Sequence, residues 1–294
     1  MPENQIAIKK SLFQINVCVL LLGGTSLFAK LISLPADGIT LFRSIFGSLA
    51  LAVLIWATRT SFRLESGKDY TFVILTGLLT GGHWVTFFYA IQISTVAVGI
   101  LSLYTFPIIT SFLEPLFEKE RIRSSNLLRA AIVFAGILLM IQQFELSNRI
   151  TLGALCGLVS AALFSIRNIL VRRKLSHLSG MTTMCYQLIV VSFMLLPIAP
   201  FEYSLFIDNR LPLLLLLGFV FTALPHVLLV TSLHHIKAAT ASLILCLHPM
   251  YSIIFAALLI SEVPSPRVIL GGLLIVSISV YESIGAQRGS QEGE

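Results

Sequence analysis

Residues 97–120 read AVGILSLYTFPIITSFLEPLFEKE, and residues 239–262 read ATASLILCLHPMYSIIFAALLISE. Each stretch is an apolar run that contains a proline and ends on a glutamate, and each is long enough to cross the hydrocarbon core of a bilayer, which takes about 20 residues. Pro107 and Pro249 are 142 positions apart, and the same offset pairs Glu120 with Glu262. Leucine matches carry little weight in apolar segments, but a proline and a glutamate in one register indicate an internal repeat.

The rest of the chain has the same apolar character. Hydrophobic residues make up 56% of the sequence and charged residues 12%, whereas ordinary soluble domains are about 25% charged. Backbone amides in lipid must bond within their own segment, and the runs lack the alternation of barrel strands, so we predict helices. The fold class predicted is an all-α integral membrane protein with ten transmembrane helices: Leu12–Ile32, Ile39–Ala57, Tyr70–Ile91, Val96–Phe117, Leu127–Ile141, Thr151–Val171, Met181–Ala199, Pro212–Leu233, Ala238–Ile260 and Val268–Ile284.

Basic residues in the loops predict the orientation. Of the 20 lysines and arginines, 14 fall on the side of the N-terminus, while only Arg149, Arg210 and Arg267 fall in the opposite loops. Because basic loops are retained in the cytoplasm during insertion, we expect both termini to be cytoplasmic in a multi-pass protein of the cell membrane. The same topology accounts for the net charge of +6 without a nucleic-acid partner.

The repeat also predicts the arrangement of the two halves. Five helices in each half is an odd number, so the second half enters the membrane upside down relative to the first. Inverted repeats of this kind are common among secondary transporters. We therefore predict a first repeat at residues 1–145, with helices one to five, and a second repeat at residues 146–294, with helices six to ten.

This pattern resembles the drug/metabolite transporter superfamily, EamA type. The two quoted stretches carry the resemblance, together with Arg43 early in the second helix and Gly271-Gly272 at the start of the last helix. The glycine that usually precedes the glutamate is replaced by Lys119 in one half and Ser261 in the other, which leaves the turns there open to change. The resemblance implies transport of small organic solutes through a central cavity lined by spans one, three, four, six, eight and nine.

Several polar and aromatic residues are predicted to lie near mid-membrane. Ionisable groups at this depth are costly and are functional candidates by default. A histidine can bind a carboxylate or take up a proton near neutral pH, and an indole can stack on an aromatic or cationic solute. The alternative is a neutral histidine bonded to a neighbouring helix, with the indole in packing. The candidate substrate-binding residues are Ser26, His83, Trp84, Tyr104, His226 and His248.

Prolines and arginines within the spans add two further predictions. Pro107, Pro225 and Pro249 should bend their helices, either to let a cavity wall move or as static kinks. Lys30 and Arg43 lie near the outer ends of their helices, where long stems can lift the charge to the headgroups. Together these two residues are candidates for a charged outer vestibule that attracts anionic solutes. Arg167, with Asn168 beside it, is likewise expected to extend its charge to the inner surface.

The predicted function is secondary transport of a small organic solute by alternating access, with efflux of an amino acid or related metabolite as the preferred case. No nucleotide-binding loop of the form G-x-x-x-x-G-K-[ST] occurs, so gradients would drive transport. We expect a small-molecule solute and the lipid bilayer as partners and leave a homodimer open. No cofactor, metal site or catalytic residue is expected.

The main alternative is a membrane-embedded enzyme that modifies lipids or prenyl chains. Such chemistry usually needs clustered carboxylates to hold magnesium, and the sequence has no D-x-x-x-D pair. A sensor or assembly component is a third class, against which the short loops argue.

Overall fold

The computed structural model of the protein describes residues 2–118, 124–141, 145, 147–199, 210–233, 236 and 238–292, and regular structure in these residues is helical throughout. The helices are α1 Pro2–Thr25, α2 Phe28–Leu31, α3 Ala36–Ala57, α4 Gly67–Ile93, α5 Val96–Leu103, α6 Phe106–Glu118, α7 Ser124–Met140, α8 Arg149–Lys174, α9 Gly180–Leu195, α10 Arg210–Gly218, α11 Leu224–Ser232, α12 Ala238–Leu245, α13 His248–Leu259 and α14 Pro266–Glu292. A turn of π-helix, Phe219–Ala223, joins α10 to α11.

Six helical segments of the described residues are long and apolar enough to cross a bilayer: Ile6–Leu31, Ala36–Ala57, Gly67–Ile93, Val96–Phe117, Arg149–Lys174 and Arg210–Ser232. Four shorter apolar helices lie where the remaining spans are predicted, at Asn126–Met140, Gly180–Leu195, Leu243–Leu259 and Pro266–Tyr281. The protein is therefore an all-helical, multi-pass membrane protein. The count of ten spans stays a prediction, and Glu120 lies outside the described residues.

Spans four and nine are interrupted at equivalent places. α5 ends at Leu103 and α6 begins at Phe106, while α12 ends at Leu245 and α13 begins at His248. Each bound in span nine follows its counterpart by the 142 residues that separate Pro107 from Pro249. Proline lacks an N–H and clashes with the carbonyl four residues earlier, so the helix restarts beside it. The repeat read from the sequence is thus also a repeat of helix geometry.

A proline in a helix frees the carbonyl four residues before it, and that carbonyl needs another donor in a medium without water. Pro249, Pro225 and Pro115 free the carbonyls of Leu245, Phe221 and Ser111 in this way. Each freed carbonyl accepts a hydrogen bond from a side chain of another helix. The donors are Tyr104 Oη to Leu245 (2.7 Å), Thr25 Oγ1 to Phe221 (3.1 Å) and Asn126 Nδ2 to Ser111 (3.0 Å).

Glycines allow the closest helix contacts. α7 packs against α14 where Gly136 faces Gly271, and a Cβ on Gly136 would lie 2.8 Å from the carbonyl oxygen of Gly271. In α4, a Cβ on Gly77 would lie 2.7 Å from the Cβ of Val190 in α9. Small residues of this kind are the usual way for helix backbones to approach in a membrane.

Candidate substrate cavity

A cavity of about 620 Å³ lies between the two halves of the chain. Its walls come from α1, α4, α5, α6, α8, α11 and the break between α12 and α13, which together form predicted spans one, three, four, six, eight and nine. These are the six spans that the resemblance implies. Arg43 of α3 adds a contribution from the second span.

Most of the sequence-predicted site residues meet in this cavity. His83, Trp84, Tyr104, His226 and His248 line it. Two further predicted residues, Arg43 and Pro107, also line it. The remaining predicted residues are not among those that form the wall: Ser26, Lys30, Pro225 and Pro249.

Each cavity histidine donates one ring N–H to a fixed acceptor. His226 Nδ1 donates to the carbonyl of Thr222 (2.6 Å), and His248 Nε2 donates to the carbonyl of Leu22 (3.0 Å). His83 Nδ1 lies 2.7 Å from Ser160 Oγ, which itself donates to the carbonyl of His83 (2.8 Å). The ring orientations are therefore set by hydrogen bonds to backbone and hydroxyl groups. The second nitrogen of each ring has no hydrogen-bond partner among the described residues and remains available to a solute.

Aromatic rings form a continuous wall beside these histidines. Tyr104 lies edge-on to Phe106 and to His248, with centroids 5.7 Å apart in each case. Phe106 meets Phe164 edge-on at 5.0 Å, and Phe164 lies 4.7 Å from His83. Edge-to-face pairs at these distances stabilise one another. The wall therefore offers ring faces and edges on which a planar apolar group can pack.

Arg43 does not extend its charge to the headgroups, so the preferred interpretation of this residue from sequence is wrong. Its side chain is 3% exposed, and the guanidinium lies over the indole of Trp84, with Cζ 3.7 Å from the ring centroid. Its Nε donates to Thr222 Oγ1 (2.8 Å), and Thr222 Oγ1 in turn donates to the carbonyl of Leu217 (2.7 Å). Thr222 belongs to the π-helical turn, a kind of irregularity that often marks functional sites.

Arg167 is also part of the cavity wall rather than a surface group. Its Nη2 donates to Gln187 Oε1 (2.5 Å), and its Nη1 donates to Asn168 Oδ1 (3.0 Å). Gln187 is fully buried in α9 and donates to Thr76 Oγ1 (2.9 Å) in α4. Sequence reasoning missed both Gln187 and Thr222. The available signal was an uncharged polar side chain in the middle of an apolar span.

The cavity wall extends to exposed side chains near the ends of α6 and α8. Glu114 of α6 and Arg172 of α8 form an ion pair there. The side chain of Arg172 is 62% exposed and that of Glu114 26% exposed. We call this end the mouth.

At the opposite end of the molecule, polar contacts hold the ends of the helices together, and we call this the closed end. Lys30 Nζ donates to the carbonyl of Ser94 (2.9 Å), and Gln92 Nε2 donates to that of Leu34 (2.8 Å). Val96 N–H, at the start of span four, donates to Glu262 Oε1 (2.6 Å) at the end of span nine. That bond links the two halves. Since Val96 and Glu114 lie at opposite ends of one span, the closed end and the mouth are on opposite faces of the molecule.

Ser261 gives Glu262 its position at the closed end. Its φ is 56°, in the left-handed region that favours glycine, although the residue is a serine. The turn that it makes lets the N–H of Glu262 bond to the carbonyl of Ala256 (3.0 Å). The turn expected from a glycine is therefore retained at Ser261. Lys119, its counterpart in the first half, lies outside the described residues.

Matched breaks in two spans, and a cavity lined by aromatic, histidine and arginine side chains between the halves of a multi-pass helical protein, are features of membrane transporters. The EamA-like transporter family matches residues 9–142 and again residues 151–281. The chain belongs to this family, with one repeat in each half.

The names of two relatives agree with this assignment, and a solved structure shares the fold. The chain is 27% identical to the uncharacterized transporter YdfC of Bacillus subtilis over 245 residues. This alignment covers 82% of this chain and 79% of that protein. It is 25% identical over 244 residues to the pseudopaline exporter CntI of Pseudomonas aeruginosa, covering 83% and 84%. A solved crystal structure shares the fold with a TM-score of 0.64 and 17% identity, covering 95% of this chain and 98% of the other.

Proposed function

We propose that this transporter is a secondary carrier that exports a small organic solute, an amino acid or a related metabolite, by alternating access. The observation that carries the proposal is the cavity, whose wall includes the exposed pair Glu114–Arg172 at the mouth and none of the residues that make the polar contacts of the closed end. A carrier needs a site that is exposed to one side at a time. A cavity of about 620 Å³ is within the range of sites that hold metabolite-sized molecules.

The proposed topology has ten spans in two inverted halves, with both termini in the cytoplasm. The matched breaks of α5–α6 and α12–α13 support paired halves. In this topology α6 and α8 finish on the cytoplasmic side, so the mouth faces the cytoplasm. An exporter binds its solute in the conformation in which the cavity faces the cytoplasm. The name of the relative CntI, an exporter, supports the same direction.

The wall supports an amphipathic solute. Aromatic rings and histidine nitrogens line the same space, so an apolar group and a polar group of one molecule can be bound together. The breaks beside Pro107 and Pro249 give the wall two places at which short helices can change angle.

Purified protein in liposomes tests this proposal. Counterflow of labelled amino acids and nucleosides should exceed that of protein-free liposomes. Thr110→Trp, which adds a bulky ring to the cavity wall, should abolish the flux while the protein stays monodisperse. Absence of counterflow for every compound, or a flux that Thr110→Trp leaves unchanged, would overturn the proposal. Chemical modification of lipids during the assay would instead support the membrane-enzyme alternative.

A further inference from the structure

Two guanidinium groups face the cavity without a carboxylate partner. Arg43 is held by Trp84 and Thr222, and its only hydrogen bond within the described residues is made by Nε. Its two Nη groups are therefore free to bind something in the cavity. A guanidinium presents its donors in a planar fork that matches a carboxylate or phosphate.

Arg167 supplies the second charge. Its Nη groups bind Asn168 and Gln187, which are neutral, and its buried Nε has no hydrogen-bond partner in the described part of the chain. Gln187 is itself anchored to Thr76, so the guanidinium is fixed in place. Arg43 and Arg167 line the same cavity as His83.

Among the described residues of the cavity wall, no acidic side chain pairs with either of these two arginines. Glu114 is the one carboxylate among the residues that line the cavity, and it pairs with Arg172 at the mouth. A buried cation is costly unless an opposite charge and hydrogen bonds satisfy it. Neutral partners orient Arg43 and Arg167 but leave the excess positive charge in place, and an anionic solute would compensate for it.

The rest of the wall defines the uncharged part of such a solute. Trp84, Phe87, Phe106 and Phe164 line the same cavity as the two arginines. Rings at these positions favour a planar apolar body over a heavily hydroxylated one, because they offer area for burial and few hydrogen bonds.

We propose that the solute is an organic anion, with a carboxylate bound by Arg43 and Arg167 and an aromatic body against the ring wall. This inference rests on the proposed carrier function. It assigns Arg43 and Arg167 as the residues that select solute charge, and Thr222 and Gln187 as the residues that position them.

Matched probes that share one ring and differ in the charge of the attached group test the assignment. Indole-3-acetate, indole-3-acetamide and tryptamine share one ring and carry an anion, a neutral amide and a cation, and the phenyl series repeats the set. Binding to the detergent-purified protein by calorimetry should favour each anion over its amide by about tenfold or more, the effect of one charge-assisted hydrogen bond. Counterflow of the labelled probes in liposomes should follow the same order.

Variants separate charge selection from a structural role. Arg43→Gln and Arg167→Gln should each weaken anion binding by about tenfold and leave amide binding within about twofold. Arg43→Lys keeps the charge and should retain the preference for the anion. Arg267→Gln removes an exposed arginine outside the cavity wall and should change nothing.

Each result decides one question. Amides or amines that bind as well as anions, or arginine variants that weaken all three probes equally, would overturn the anion assignment. In that case, counterflow of a neutral or cationic solute would leave the carrier function standing. Absence of binding and counterflow for every probe, amino acid and nucleoside would overturn the carrier function itself.

Discussion

At the scale of single residues, the cavity depends on side chains whose partners come from distant parts of the chain. Arg43 meets Thr222, His83 meets Ser160, and Tyr104 reaches the carbonyl of Leu245. Arg43–Thr222 and His83–Ser160 each join the first half to the second, and so does Tyr104–Leu245. A substitution at one of these positions therefore acts on the contact between the halves as well as on the wall.

Two of the three cavity histidines, His83 and His226, give a prediction about transport. His83→Ala and His226→Ala each remove a ring nitrogen that faces the cavity, so we expect flux in liposomes to fall by about tenfold or more. Insertion and yield should stay normal. His177→Ala is the matched control, because His177 is 41% exposed at its side chain and lies outside the cavity wall. Unchanged flux in both cavity variants would exclude a role for these histidines.

Tyr104 gives a prediction about stability. Tyr104→Phe keeps the ring but removes the hydroxyl that satisfies the carbonyl freed by Pro249, so the free energy of unfolding should fall by about 1–3 kcal/mol. Thermal unfolding in detergent measures the change. Tyr70→Phe removes an exposed hydroxyl and should have no effect. Equal unfolding temperatures for the two variants would show that water or another donor satisfies this carbonyl.

At the scale of helices, a few prolines decide where a helix is interrupted, and a few glycines decide where two helices can pack closely. Pro107 and Pro249 cause the breaks in spans four and nine, and Gly136 and Gly271 allow the close contact between α7 and α14. The breaks lie at the cavity, whereas the contact between α7 and α14 lies outside its wall. The two interrupted spans therefore line the site, together with continuous helices such as α4 and α8, whereas α7 and α14 pack outside it.

The contact between α7 and α14 predicts a cost for added volume. In Gly271→Ala the new Cβ would overlap the backbone of Gly136, where no side chain can rotate away, so we expect a loss of about 1–3 kcal/mol of stability. Gly67→Ala is the control, since a Cβ there meets nothing within 4 Å. Thermal unfolding of both variants in detergent is the measurement. A stable Gly271→Ala protein would mean that the two helices can separate without loss.

At the scale of the whole molecule, the mouth and the closed end predict which side of the membrane reaches the cavity. Thr110 lines the cavity, and its repeat counterpart Ser252, 142 residues later, is fully buried and bonded to Ser26 (3.0 Å). In a variant without the four native cysteines, Thr110→Cys should react with a membrane-impermeant maleimide from the cytoplasmic side only. Ser252→Cys should react from neither side.

Other labelling patterns would contradict the predicted topology. Labelling of Thr110→Cys from outside the cell would reverse the predicted orientation. Labelling of Ser252→Cys in the absence of solute would mean that water reaches this residue and that the end named closed is accessible.

The sequence by itself determined the class and the repeat. Twenty-residue apolar runs must be helices in lipid, and a shared register of proline and glutamate survives in both halves because it sets the breaks and the turns of the helices. These are local constraints, so they can be read from local sequence. The same logic placed His83, Trp84 and His226 near one level of the membrane.

Only the tertiary structure decided what the arginines do. Sequence spacing gave Arg43 and Arg167 the ordinary role of charges near helix ends, because a long stem can carry a charge to the surface. The structure instead holds them in the cavity through Trp84, Thr222 and Gln187, residues that lie 20 or more positions away from the arginine that they contact. The direction of a flexible charged side chain depends on its partners in other helices, and sequence periodicity does not contain that information.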